Sequence, residues 1–193
     1  SGKTEILLQI KKSKIPVIDL EGLANHKGSA FGALGQHEQA SQEQFENNLA
    51  SALFHMSITD ACFWIEDESQ RIGTNMLPIT FFKNIRNSIC YFIDIPFEAR
   101  LQFIVAAYGK FAVADLIAAT LRIQKRLGGL ETKTAVNFLV ENNIEGAFSI
   151  LLKYYDKVYL KNIENAAIPK FKIEKIVASE VSAIQNAGLL MHL

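Results

Sequence analysis

The first four residues carry the clearest chemical pattern of the sequence. Ser1, Gly2, Lys3 and Thr4 match the last four positions of the phosphate-binding loop G-x-x-x-x-G-K-[ST]. In such a loop, backbone N–H groups surround the phosphates, the lysine reaches their outer oxygens, and the last hydroxyl binds Mg²⁺. Residues 5–12 then read as the helix whose N-terminal dipole faces the bound anion. The loop's first glycine is not in the sequence, so a helix N-terminus with a serine cap is the alternative.

A second pattern is an acidic run that directly follows the apolar segment 61–65. The run consists of Glu66, Asp67, Glu68 and Ser69. An apolar strand that ends in carboxylates is typical of a Walker B element, which delivers a carboxylate to Mg²⁺ or to its water shell. We therefore expect Asp67 to share a Mg²⁺ with Thr4. The alternative is that these acidic residues cap a helix or keep a loop in solvent.

The segment 19–32 combines glycines with polar side chains and is the third candidate. Its candidate binding residues are Asp19, Glu21, His26, Lys27, Gly28 and Ser29. Such a mixture can wrap backbone amides around a phosphate or hold a substrate between small residues. The alternative is a plain surface loop, which would leave Leu23, Ala24, Ala30 and Phe31 in solvent.

A basic cluster forms the last candidate. Arg122, Lys125 and Arg126 have the i, i+3, i+4 spacing that places side chains on one face of a helix. They are expected to hold phosphates, either of a nucleotide under a lid or of an RNA backbone. Favourable interaction of cations with a helix C-terminus is an equally good explanation. Arg100 is expected to be an ordinary surface or salt-bridged residue.

The composition is that of a globular protein. The chain has 193 residues, 49% hydrophobic and 21% charged, with a formal net charge of zero, so nucleic-acid binding requires a local basic patch. Cys62 and Cys90 lie in apolar runs without metal-ligand spacing, which predicts reduced core cysteines and a cytoplasmic protein. No apolar run approaches the roughly 20 residues of a membrane span, so no membrane partner is expected. No reactive nucleophile is apparent, and the catalytic residues stay unknown.

Short apolar runs alternate with helical patterns along the chain. The runs that read as strands are 15–20, 61–65, 88–95 and, less clearly, 169–173. Strands joined through helices form parallel sheets with right-handed crossovers. The sequence therefore predicts an α/β fold of the P-loop NTPase type, with a parallel sheet, helices on both faces and a helical C-terminal part.

The strand that leads into a phosphate loop normally lies in the middle of its sheet. No residue precedes Ser1, so we expect polypeptide outside this sequence to pair beside strand 62–65. A gap there would leave backbone groups unpaired, at about 1–3 kcal/mol for each buried group. Direct pairing of strand 62–65 with strand 89–93 would contradict this expectation.

Six stretches of the sequence carry a resemblance to a known family. They are residues 1–5, 17–32, 44–47, 64–69, 122–129 and 154–157. These stretches resemble the P-loop domain of the tRNA 2-selenouridine synthase family. The resemblance extends to about residue 160, and its most specific part is the block DLEGLANH at 19–26.

The resemblance implies an enzyme that modifies the wobble uridine of tRNA. The 2-thio group is geranylated from geranyl diphosphate and then exchanged for selenium from selenophosphate. The implied ligands are Mg²⁺ and one of selenophosphate, geranyl diphosphate, ATP or GTP. The implied partners are tRNA, a selenophosphate supplier and a rhodanese-like domain, in cis or as a separate chain. That domain bears a functional cysteine, a role that neither Cys62 nor Cys90 matches.

Within this interpretation, residues 1–193 form one P-loop domain. Its α/β core, lacking the first strand, is expected at 1–110, a helical lid or tRNA-facing part at 111–163, and a last strand and helix at 164–193. Two other functions remain open. One is a small-molecule or nucleoside kinase, since P-loop folds with a basic lid transfer phosphoryl groups. The other is an RNA-binding scaffold that only retains the loop.

Overall fold

The computed structural model describes residues 2–57, 62–164 and 172–193. In the first part of the chain the elements are α1 (Lys3–Lys12), β1 (Val17–Ile18), α2 (Leu20–Ala24), α3 (Gln42–Ser57), β2 (Trp64–Ile65), β3 (Arg71–Ile72), β4 (Asn75–Met76), α4 (Ile79–Arg86) and β5 (Ile89–Asp94). They are followed by α5 (Phe97–Tyr108), α6 (Val113–Arg122), α7 (Gln124–Leu127), α8 (Gly129–Val140), α9 (Ile144–Glu164), β6 (Lys172–Val177) and α10 (Ala183–Met191). The chain is thus an α/β protein with short strands and many helices.

The strands form three pairs. β1 lies parallel to β2, with Val17 opposite Trp64 and Ile18 opposite Ile65. β5 lies parallel to β6 over six residues each. β3 and β4 form an antiparallel hairpin, which turns at Gly73 with a φ of 62°. Left-handed backbone at that turn favours glycine.

The helix α1 packs between the two parallel pairs and α10. Its buried face carries Ile6, Leu7 and Ile10 at helical spacing, and these contact β1 and Ala187 of α10. Side chains from β2 and β5 join the same core, where the rings of Trp64 and Tyr91 lie 5.3 Å apart. This core fixes the direction in which the N-terminus of α1 points.

The helices α5, α6, α8 and α9 form a second core in the C-terminal half. Leu116, Leu139 and Leu151 are fully buried there. Phe31 reaches into this core from the segment after α2, and its ring packs against Tyr108 and Phe148. The segment that the sequence pattern offers as a surface loop is therefore anchored by an aromatic side chain, as its apolar residues suggested.

The sheet differs from the one expected from the sequence. Among the described residues the strands form separate pairs rather than one continuous parallel sheet, and the β3–β4 hairpin was not foreseen. β1 and β2 are only two residues long, because proline precedes β1 and polar residues follow both strands. The expected last strand, 169–173, falls partly outside the described residues, and β6 instead runs from Lys172 to Val177.

The helix expected to carry the basic cluster is broken. α6 ends at Arg122 and α7 begins at Gln124, so Arg122 is separated from Lys125 and Arg126 by Ile123. Ile123 is buried. Its N–H donates to the carbonyl of Thr120, three residues back, as in a 3₁₀-helix rather than an α-helix. The expectation that one helix carries all three cations is therefore wrong.

β2 and β5 are not hydrogen-bonded neighbours in any sheet of the described residues. The direct pairing that would contradict a strand between them is thus not observed, and such a strand stays a prediction. Both cysteines are free, as expected, but Cys62 is exposed, so its placement in the core was wrong. No helix in the described ranges is long and apolar enough to cross a membrane.

Candidate phosphate site

The N-terminus of α1 meets two carboxylates. Lys3 Nζ donates to Glu68 Oε1 at 2.5 Å and lies 3.6 Å from Glu21 Oε1. The hydroxyl of Thr4 donates to Glu21 Oε2 at 2.7 Å. Gly2 is the N-cap of α1 with a φ of 77°, and it provides no side-chain cap. Ser1, the remaining predicted phosphate-binding residue, lies outside the described residues.

The pairing of β1 with β2 brings these carboxylates together. Asp19 and Glu66 come directly after the paired residues Ile18 and Ile65, at the carboxyl ends of the two parallel strands. Parallel sheets place their ligands at this edge. Asp19 caps α2 by accepting the N–H of Gly22 at 2.7 Å. The Leu20 N–H donates to Glu66 Oε2 at 2.9 Å, so Glu66 also fixes the start of α2.

Charge neutralisation at this edge is incomplete. Burial alone would lower the pKa of Lys3, but attraction to Glu68 and Glu21 outweighs it and raises that pKa. Burial raises the pKa of Glu68 despite the attraction of Lys3. Burial, with repulsion from Asp19, raises the pKa of Glu66 to about 8. Glu66 is 2% exposed and its Oε1 has no hydrogen-bond partner in the described part of the chain, so its neutral form is favoured at neutral pH.

The loop that follows α2 closes over the same carboxylates. The backbone of Gly28, with a φ of 68°, packs so closely on Glu68 that a Cβ there would collide with Oε2. His26 is buried, and its Nδ1 accepts the N–H of Gly28 at 3.2 Å. Burial lowers the pKa of His26, against the attraction of Glu68. Ser29 Oγ accepts the N–H of Phe31, whereas the side chain of Lys27 is exposed.

Asp67 makes its contacts with a different group of side chains. Its carboxylate lies 2.5 Å from Arg86 Nη1 and accepts bonds from the Tyr159 hydroxyl at 3.4 Å and the Cys90 thiol at 3.9 Å. Burial raises the pKa of Cys90 to about 11, so this thiol is not a ready nucleophile. Ser69, the last member of the acidic run, is exposed and its hydroxyl donates to the carbonyl of Arg71.

The fit of Mg²⁺ to this edge is partial. Mg²⁺ prefers hard oxygen ligands, and Thr4 and Glu21 offer two of them. In residues 2–57, 62–164 and 172–193, no group of three or more His, Cys, Asp or Glu side chains is arranged to hold a metal ion. The pair of ligands expected from the sequence, Thr4 and Asp67, makes bonds to different partners. A shared Mg²⁺ stays a prediction, and no chemical step below depends on it.

The basic cluster approaches this site through the loop. The guanidinium of Arg122 donates to the carbonyl of Ala30 at 3.4 Å, and Ala30 donates its N–H to the hydroxyl of Tyr155 at 3.2 Å. Lys125 and Arg126 are exposed. The structure therefore connects Arg122 to the loop, whereas the other two cations face solvent.

Comparison with known proteins identifies the family of the chain. A family model described as the AAA domain of tRNA 2-selenouridine synthase matches residues 1–120. The chain belongs to the tRNA 2-selenouridine synthase family. No solved structure matches it.

Curated relatives of the same family extend the similarity beyond residue 120. The protein named tRNA 2-selenouridine synthase from Shewanella frigidimarina is 34% identical over an alignment of 195 residues. The match covers 85% of this chain and 52% of that protein. The protein of that name from Nitrosomonas eutropha is 34% identical over 139 residues, covering 70% of this chain and 34% of that protein. The chain thus spans about half the length of the Shewanella protein, and its match covers about a third of the Nitrosomonas protein.

Several residues of this family member were not identified by sequence reasoning. Arg86 and Tyr159 hold Asp67, and Tyr155 holds the loop. Tyr155 falls in stretch 154–157 of the resemblance, which was the only signal for it. Arg100 forms a bidentate salt bridge with Asp156 at 2.6 and 2.9 Å, so the expectation of a salt-bridged residue is confirmed.

Glu66 is expected to make stability depend on pH. Its pKa is about 8 in the folded chain against an ordinary 4.5, so the folded state binds more protons between these values. The free energy of unfolding should therefore fall as pH rises from 5 to 8.5, on the order of 3 kcal/mol. Urea unfolding at each pH measures this. Glu66→Gln should flatten the profile, and the exposed Glu38→Gln should not; an unchanged profile in Glu66→Gln would contradict the assignment.

Proposed function

We propose that this chain is the phosphate-handling module of a tRNA-modifying enzyme that converts 2-thiouridine to 2-selenouridine through a geranylated intermediate. The observation that carries the proposal is the convergence of Lys3, Thr4 and the uncapped N-terminus of α1 at one sheet edge. The names of the relatives support a tRNA 2-selenouridine synthase, and the geranylated intermediate is part of the proposal.

The chemistry of the edge supports a phosphate ligand. The first N–H groups of α1 have no side-chain acceptor from Gly2, and the helix dipole favours an anion there. Lys3 is charged and its side chain is 46% exposed, so a ligand can approach this side chain from solvent. Selenophosphate, geranyl diphosphate, ATP and GTP all present such oxygens. The role of these residues is to bind and orient the phosphate, and Mg²⁺, when bound, would neutralise part of its charge.

The C-terminal half supports a role in holding RNA. Three cations, Arg122, Lys125 and Arg126, lie within a stretch of five residues. Among the described residues, neither Lys125 nor Arg126 forms an ion pair with an acidic side chain. Exposed cations of this kind bind the phosphate backbone of nucleic acids. We assign tRNA to this surface. The rhodanese-like domain and the selenium donor are then supplied by another part of the enzyme or by another chain.

Mass analysis of the wobble uridine tests the whole proposal. The chain is added to thiolated tRNA with geranyl diphosphate and selenophosphate, with and without a rhodanese-like partner. We expect a mass increase corresponding to geranylation or to replacement of sulfur by selenium, in at least one of the two mixtures. Robust transfer of phosphate from radiolabelled ATP to a small metabolite, with no change in tRNA, would replace the proposal with a kinase.

Lys3→Ala is expected to weaken phosphate binding without unfolding the chain. The lysine contributes a charge-assisted hydrogen bond, so the loss should be about 1.5–3 kcal/mol of binding free energy. Isothermal titration calorimetry with inorganic pyrophosphate, selenophosphate and ATP measures it. Lys12→Ala, at the exposed far end of the same helix, is the matched control and should bind as the unchanged chain does. Equal affinities of both variants for all three ligands would contradict the assignment of a phosphate site to Lys3.

Neutralising Arg122 and Arg126 together is expected to weaken tRNA binding through lost phosphate contacts. The slope of log affinity against log salt should decrease by roughly two, at about 0.9 per contact for duplex nucleic acid. Filter binding of tRNA at several salt concentrations measures the slope. A double variant of the exposed Arg71 and Lys83 removes the same charge elsewhere. If both double variants change the slope equally, the basic cluster is not the specific contact surface.

A further inference from the structure

Glu68 is bound to the Lys3 ammonium, the charged group that would bind a phosphate oxygen. Its Oε1 accepts from Lys3 Nζ at 2.5 Å, although its own side chain is only 7% exposed. Lys3 is therefore not a free ammonium in this structure. It is neutralised by a buried carboxylate that lies where the outer oxygens of a ligand would meet the lysine.

The position of Glu68 is fixed from several sides. The guanidinium of Arg86 donates to the backbone carbonyl of Glu68 at 2.6 Å. The backbone N–H of Glu68 donates to the carbonyl of Glu66 at 3.0 Å. The backbone of Gly28 lies against its other carboxylate oxygen. The contact with Lys3 thus belongs to a built arrangement at the end of β2, unlike the exposed pair of Lys172 and Glu174, which also measures 2.5 Å.

We propose that Glu68 is an internal competitor that occupies Lys3 in the free protein and leaves it when the phosphate ligand binds. This inference rests on the proposed function, since it takes Lys3 as the phosphate-binding lysine. Glu21 and Glu68 already place two negative charges on the single charge of Lys3. A phosphate oxygen beside a retained Glu68 would face charge repulsion that water screens only in part. The carboxylate must therefore move before a bare phosphate reaches the lysine.

The inference assigns a specificity role to Glu68 as a positioning residue. A monoanionic ligand or a neutral one gains too little from Lys3 to replace a carboxylate that is already bound. A ligand with several phosphate oxygens gains contacts to Lys3, to Thr4 and to the first N–H groups of α1 together. The competitor thus selects for multiply charged ligands such as diphosphates over simple carboxylates and single anions.

The test compares Glu68→Gln with Glu174→Gln in calorimetric titrations of inorganic pyrophosphate into the full chain, in metal-free buffer. Glutamine keeps the shape of the side chain and removes its charge. We expect Glu68→Gln to bind pyrophosphate about tenfold more tightly than the unchanged chain, which corresponds to about 1.4 kcal/mol. Glu174→Gln, which removes the charge of an exposed pair of the same length, should leave the affinity unchanged.

The outcomes separate this inference from the proposed function. If Glu68→Gln binds no more tightly while Lys3→Ala binds more weakly, the phosphate site stands and the competitor is overturned. If neither the unchanged chain nor Glu68→Gln binds pyrophosphate, the phosphate site itself fails, and the competitor with it. Circular dichroism checks the fold of each variant. Should Glu68→Gln fail to fold, Glu68→Asp is used; its carboxylate is one methylene shorter and reaches Lys3 less well, so tighter binding is again the supporting result.

Discussion

The ion pair between Lys3 and Glu68 is the contact on which the electrostatics of the site depend. It joins the N-terminus of α1 to the end of β2, which are 65 residues apart in the chain. An isolated surface pair would contribute at most about 1 kcal/mol. Here one partner is buried, so loss of Lys3 would leave an uncompensated carboxylate, and the two groups constrain each other. The same pair therefore both orders the site and limits the access of a ligand to it.

The loop after α2 belongs to two parts of the molecule at once. Gly28 packs on Glu68 at the phosphate site, and only three residues later Phe31 is buried among the helices of the C-terminal half. Tyr155 and Arg122 hold Ala30, which lies between these two anchors. A displacement of Glu68 would change the packing of Gly28, and the short connection leaves little backbone to absorb that change. The proposed phosphate site is thus physically connected to Arg122 of the basic cluster.

Much of the site could be predicted from the sequence, because a phosphate-loop pattern and an acid-ended apolar run imply the same sheet edge. The sequence could not predict which carboxylate of the acidic run contacts Lys3. A tight turn, closed by the bond from the Glu68 N–H to the Glu66 carbonyl, directs these side chains. Glu66 accepts the Leu20 N–H and Glu68 accepts from Lys3, whereas Asp67 pairs with Arg86. Three acidic residues in a row give no indication of which side α1 will occupy. Similarly, helical spacing cannot reveal that α6 ends at Arg122, between the cations.

The position of α1 is set by its apolar face rather than by pairing of strands. Among the described residues, β1–β2 and β5–β6 share no hydrogen bonds, so the backbone does not hold the two pairs together. The side chains of Ile6, Leu7 and Ile10 lie in one core with residues of both pairs, and Trp64 packs against Tyr91 there. Burying three such side chains contributes several kcal/mol, far more than one ion pair. Apolar packing therefore places Lys3 within reach of Glu68, and the charges then determine which ligand can replace the carboxylate.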